Sequence, residues 1–148
     1  MTQANAAAPM RLLAEDADDL RVISAALQDA VAKVGDIHWD ARARTLTVAF
    51  NRFRWEAADK GARKERVRSA LQLGGVLKVE ARRIRRDAKA AVLELLALEF
   101  QPGEAPAGHV VLEFAGGGDL RVEVECLDAA LADVSAPWPA RRVPSHGA

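Results

Sequence analysis

The sequence predicts a mostly β domain of antiparallel strands, with one helix before the strands and a short helix after them. Three observations carry that expectation. Apolar and polar residues alternate through most of the stretch between Gly35 and Cys126, which is the period of a half-buried strand. The alternating runs are separated by short turn-like pieces, of which "AGGGD" (115–119) and Gly74-Gly75 are the clearest. Only "EDADDLRVISAALQDAV" and "CLDAALADV" switch to helical spacing.

Residues 1–10 are Ala-rich and unpatterned and are expected to form a loose tail. Leu20, Ile23 and Leu27, with Ala30 or Val31, then share one helical face, which predicts a helix over 17–28. Asp16 or Asp18 serves as N-cap, and the acids suit the positive end of the helix dipole. Extension of this helix to Val34, with Gly35 as its stop, competes with a strand starting near Ala30.

"GDIHWD", "ARAR" and "TLTVAF" form a hairpin with Ile37 and Trp39 on one parity and Leu46, Val48 and Phe50 on the other arm. In "NRFRWE" (51–56) the apolar parity moves to Phe53 and Trp55, which predicts a bulge or bend near Asn51. "EAADKGARKE" reads as a loop. "RVRSALQLGG" turns Val67, Leu71 and Leu73 one way and Arg66, Arg68 and Gln72 the other. Gly74-Gly75 supplies a tight turn into a returning strand, "VLKVEARRI", with Leu77, Val79 and Ala81 in register.

"RRDAKA" is a polar turn. "AVLELLALEF" fits helix or strand; its length, the closing "QPGEAPAG" and its strand neighbours favour strand. "HVVLEFAGGGDLRVEVECL" is a hairpin with one wet face. "CLDAALADV" places Leu127, Ala130, Leu131 and Val134 at helical spacing, stopped by Pro137. The remaining tail is Pro-rich and extended, with Trp138 packed back on the body.

These elements make a seven-stranded antiparallel barrel or two orthogonal sheets, with an N-terminal helix and a C-terminal capping helix. The order resembles a pleckstrin-homology-type barrel, a resemblance that implies no function. The domain plan is a tail over 1–10, one β-rich domain over 11–136 and a Pro-rich tail over 137–148.

A chain of 148 residues fits one domain and buries roughly 68–70% of the surface exposed by its unfolded form, enough for a core without staples. The single cysteine, Cys126, excludes an internal disulfide and every cysteine-cluster zinc site. No apolar run approaches the roughly 20 residues of a membrane span. "MTQANAAAPMR" lacks the basic and hydrophobic regions of a secretory signal. The chain therefore reads as cytoplasmic, without a cofactor. Its zero net charge is unevenly spread: residues 52–89 hold 13 Lys/Arg against 5 Asp/Glu.

"NRFRWE" raises the one sharp question. Two rings and two arginines suit a platform that stacks bases and pairs phosphates. On a strand, however, Phe53 and Trp55 point to one face and Arg52 and Arg54 to the other, so rings inside and charges outside is the favoured reading. "ARRIRRDAK" adds Arg82, Arg83, Arg85, Arg86 and Lys89. With Arg63, Lys64, Arg66 and Arg68 these are the candidate nucleic-acid or anion contacts, provided the two groups lie side by side. The commoner role of such a run is a solvated turn that guards a sheet edge.

His38 between Asp36 and Asp40 resembles a metal corner or an acid–base pair, but no second histidine stands at ligand spacing, so no metal site is expected. The serines sit in no nucleophile elbow. "FAGGGD" lies between strands rather than before a helix, so it is a turn and not a phosphate loop. Cys126, at the start of the expected helix, behaves more readily as a small buried hydrophobe than as a reactive thiol. No catalytic constellation is found.

Three phrases, "RLLAEDADDLRVISAALQDAVAKVGDI", "NRFRWE" and "FAGGGDLRVEVECLDAALADVSAPW", together resemble an uncharacterised, mainly alphaproteobacterial domain-of-unknown-function family from about Met10 to Trp138. The resemblance implies a bacterial cytoplasmic protein of one domain. It carries over no activity, cofactor or catalytic residue. The expected function is a small non-catalytic binding or protein-interaction domain, with a protein partner or a second copy of itself. The alternative is an RNA- or nucleic-acid-associated protein using the basic 52–89 region, and a more distant one is an enzyme with its site near Asp36, His38 and Asp40.

Overall fold

A computed structural model describes residues 9–58 and 64–140. Eleven strands form one antiparallel sheet that does not close: β1 (Arg11–Ala14), β2 (Val31–Lys33), β3 (Ile37–Asp40), β4 (Thr45–Phe53), β5 (Glu65–Leu73), β6 (Val76–Arg82), β7 (Val92–Pro102), β8 (Gly108–Phe114), β9 (Asp119–Val124), β10 (Ala129–Asp133) and β11 (Trp138–Pro139). The spatial order is β1-β10-β5-β4-β2-β7-β8-β9-β6, with β3 also beside β4 and β11 beside β5.

β7 makes this one body. Its first residues pair with β2 and its later ones with β8, across a register shift between Leu95 and Ala97. The sheet thus turns over at β7, and its two halves enclose one core. Leu46, Val48, Phe50, Leu71, Leu73 and Leu131 face Val110, Leu112, Phe114, Val122 and Val124. Each such side chain stabilises the fold by about 1.5–3 kcal/mol when fully buried.

Helix α1 (Ala17–Ala26) begins where the sequence places it. The Asp16 carboxylate accepts the Asp19 N–H at 2.8 Å, satisfying one of the free amides of the first turn. Leu20, Ile23 and Leu27 are buried, and the Ser24 hydroxyl accepts the Leu98 N–H at 3.1 Å, tying the helix to β7. The helix stops early. Asp29 takes a left-handed φ of 61° and the chain enters β2, so the competing strand reading near Ala30 holds. The β3–β4 hairpin, the strand at β7 and the β8–β9 hairpin around the triple glycine also form as the alternation predicts.

Four expectations are corrected. No bulge occurs near Asn51: β4 pairs with β5 in one register from Leu46↔Leu73 to Phe53↔Arg66, so Arg52 continues the inward row begun by Leu46, Val48 and Phe50. β5 and β6 are not a hairpin. Gly75, at φ 62°, turns the chain a corner from one half of the sheet to the other, and β6 pairs with β9.

The C-terminal helix is instead β10, between β1 and β5. Ala129, Leu131 and Asp133 face inward while Ala130 and Ala132 face out. Alanine fits either period, and the open slot between two strands supplies hydrogen bonds that decide against helix propensity. The loss of that helix and the unclosed sheet also remove the element order that suggested a capped barrel. The tally of seven strands omitted β1, β2, β10 and β11, all five residues or shorter.

Candidate functional site

The "NRFRWE" stretch is built differently from a base-stacking platform. Phe53 is fully buried and meets Trp55 edge-on, with ring centroids 4.6 Å apart. Trp55 opens α2 (Trp55–Ala58), a single turn, and its indole donates to the Gln28 carbonyl at 3.3 Å. The two arginines are also inside, which corrects the expectation that they face water.

The Arg52 side chain is 0% exposed. It donates to both Asp133 oxygens at 3.0 and 3.2 Å, to both Glu56 oxygens at 3.0 and 2.9 Å, and to Ser69 Oγ at 2.9 Å. The Ser69 hydroxyl donates to Asp133 at 2.7 Å, and the Met10 N–H donates to Asp133 at 2.9 Å. Arg54 pairs with Glu65. These guanidinium groups are therefore occupied by carboxylates inside the fold. Burial acts against the Arg52 charge, but the Glu56 and Asp133 carboxylates hold its pKa above the ordinary arginine value.

The other basic candidates divide. Arg63 lies outside the described residues. Lys64 is exposed, and its carbonyl accepts the Ala140 N–H at 3.0 Å. Arg66 is half-buried beside Trp138. Arg68 donates to Asn51 and Asp36, both at 3.1 Å. Arg82 clasps Asp119 at 2.6 Å, and the paired guanidinium holds the Asp119 carboxyl below its ordinary range. Arg85 stands 3.9 Å from Asp87. Among the described residues, Arg83, Arg86 and Lys89 are exposed and have no ion-pair partner. The two basic groups approach each other across one 3-10 turn (Val34–Asp36): Arg68 reaches Asp36, and the Gly35 N–H donates to the Lys89 carbonyl at 2.9 Å.

His38 is exposed on β3. Its neighbouring carboxylates have other work: Asp36 takes Arg68, and Asp40 accepts the Ala43 N–H at 3.0 Å to close the hairpin turn. Cys126 is exposed, which corrects the favoured reading of it as a small buried hydrophobe, and it precedes a strand rather than a helix. Among the described residues no cluster of three metal-ligating side chains exists, and no helix is long and apolar enough to cross a membrane.

An apolar concavity lies elsewhere, where the sheet fails to close. Among the described residues, β3 pairs only with β4, and β6 pairs only with β9. Between these two lips lies a groove of about 180 Å³. Val34, Ile37 and Trp39 line one side, Val79, Ala81 and Ile84 the other, and Leu120, Arg86 and Lys89 complete it. Trp39 sits opposite the fully buried Leu46 on the inward side of the hairpin, yet it is 38% exposed because no described residue covers it. One end of the groove is closed where the Val76 N–H donates to the Arg44 carbonyl at 2.9 Å and Arg44 pairs with Glu125 at 2.6 Å. At the other end the chain over 84–89 passes beside the 3-10 turn.

Of the groove residues, the sequence singled out only Arg86 and Lys89 for chemistry. Ile37, Trp39, Val79 and Ala81 were visible as apolar strand positions. Their meeting is long-range, set by the corner at Gly75 and by the path of the sheet through β7, and no local pattern encodes it.

No curated protein and no solved structure matches the chain. A protein family does match: the glycine hairpin, both lips of the groove and the buried Arg52 network all fall within one continuous correspondence over residues 10–146, and the chain belongs to the family described as Protein of unknown function (DUF2948).

Proposed function

We propose that this chain is a small binding domain whose binding site is the groove between β3 and β6. The observation that supports it is the exposed, inward-facing Trp39 between two strand edges that lack partners. Unpaired edges and uncovered apolar surface are what folded proteins normally hide. The catalytic alternative near His38 has less support, since Asp36 and Asp40 are bound to other groups. An apolar anionic dye, anilinonaphthalene sulfonate, tests the reading. Its fluorescence should rise on the native protein, with unchanged near-ultraviolet circular dichroism, and Ala81→Leu, which fills the groove, should abolish the rise. No rise, or a rise indifferent to Ala81→Leu, overturns it.

One observation favours nucleic acid as a second reading: Arg83, Arg86 and Lys89 are exposed cations on one loop. Against it, Arg52, Arg54 and Arg68 are already paired with carboxylates. Three free cations on a single strand predict a log–log salt slope of about −2. A flat salt response of poly-uridine binding removes this reading.

A further inference from the structure

We infer that the groove takes an extended peptide segment that adds to β3 as a strand, carrying an apolar side chain followed by carboxylates. This rests on the binding reading above and names the partner's chemistry. Three features carry it.

The first is an interrupted ladder. β2 pairs with β7 from Val31↔Glu94 to Lys33↔Val92, and the pairing continues as Val34 N–H to Ala91 O and Gly35 N–H to Lys89 O, each at 2.9 Å. There the 84–89 chain turns away, and β3 continues with no described residue paired to its outer edge. The edges of native sheets are usually blunted by lysine, proline or a bulge. β6 has such guards, with Lys78, Arg82 and an irregularity between Val76 and Lys78. β3, reading Ile-His-Trp-Asp, carries no lysine, proline or bulge, and its one acidic side chain is Asp40 at the far end from the cations. An extended segment added there satisfies the backbone groups while its alternate side chains enter the groove.

The second is size. An apolar cavity of about 150 Å³ accepts a benzene-sized molecule, so a groove of 180 Å³ has room for one leucine or phenylalanine side chain. Ile37, Trp39, Val79 and Ile84 would surround it.

The third is charge. Both charged residues lining the groove, Arg86 and Lys89, are cations without a carboxylate partner among the described residues. They stand at the end where β3 begins, since Lys89 is bonded to Gly35. Every strand pair in the sheet is antiparallel. A segment added antiparallel to β3 therefore ends beside these cations, which places its carboxylates after its apolar anchor.

The test uses the full chain, labelled with ¹⁵N, and the probe peptide acetyl-Thr-Val-Leu-Val-Asp-Asp-amide. The expected result is perturbation of the Trp39 indole and the Ile37–Asp40 amides, with slowed hydrogen exchange on β3. Replacing Asp-Asp by Lys-Lys in the probe, or Arg86→Glu with Lys89→Glu in the protein, should each weaken binding at least tenfold. Equal binding of the acidic and basic probes overturns the inference. Decanoate, an apolar anion with no peptide backbone, separates the two levels. If decanoate perturbs Trp39 while the peptide leaves the β3 amides unchanged, the binding reading stands and strand addition falls. If neither probe nor the dye reaches Trp39, both fall.

Discussion

Arg52 occupies the inward position that follows Leu46, Val48 and Phe50 on β4, and its charge is accommodated by what surrounds it. Asp133 lies on the same inward face and is only 6% exposed. A buried pair is weak evidence of net stabilisation, but stranding one partner costs about 3–5 kcal/mol. Asp133→Ala leaves Arg52 paired with Glu56 but removes the acceptor of Arg52, Ser69 and the Met10 N–H. It should therefore lower the urea-denaturation stability by less, about 1–3 kcal/mol, and the double change Arg52→Met, Asp133→Leu should recover part of it. A double variant no better than Asp133→Ala would show that the loss is not due to the acceptor taken from Arg52. Glu56 adds a pH signature. Burial works to raise its pKa, yet hydrogen bonds and the charges of Arg52 and Arg54 hold it below the ordinary 4.5. A depressed folded-state value stabilises fully above 4.5 and loses that contribution as pH falls through the folded value. Glu56→Gln should thus be less stable than the parent at pH 6, with the gap closing as pH falls below 4.5 through the folded value; a gap that stays constant as the pH falls contradicts the coupling. None of this network was legible from the sequence, because alternation assigns a face to Arg52 but cannot say that Asp133, 81 positions away, waits on the same face.

At the scale of elements, alternation was a good guide wherever side chains were large and of one kind. β8 and β9 carry Val110, Leu112, Phe114, Val122 and Val124 on one face, and no other period fits them. It failed at "DAALADV", where alanines satisfy both the 2.0 and 3.6 periods. β10 also gives a direct prediction. Leu131 is fully buried between Leu12 and Leu71, so Leu131→Ala should cost about 2–5 kcal/mol in denaturant titration. The amides of Ala130 and Ala132 should exchange slowly, as those of a strand flanked on both sides, and fast exchange there would contradict β10. The short pieces β1 and β11 were missed, and β2 was only a competing reading, for a related reason. Runs of two to four residues are too brief to show a period, and they form because a neighbouring strand already offers its edge.

For the molecule as a whole, the decisive residue is Gly75. Its left-handed φ of 62° sends β6 to β9 instead of back along β5, which lets the sheet curl and leaves the gap against β3. A left-handed conformation costs a residue with a Cβ about 1–2 kcal/mol, so Gly75→Ala should lower stability by that amount. Because both halves share one core, the loss should register equally in far-ultraviolet circular dichroism and in tryptophan fluorescence; separate transitions would mean that the halves unfold independently. The sequence by itself determined the antiparallel β class, α1 with its Asp16 cap, the two local hairpins and the uneven charge. These follow from contacts between residues near in the chain, where period, cap and turn chemistry act directly. Tertiary structure alone decided that the central arginines are buried, that β10 is a strand, and that β3 and β6 face each other across an open groove. Those outcomes depend on which distant partners fill a slot or fail to, and the energy of such a partnership is written in no single stretch of the chain.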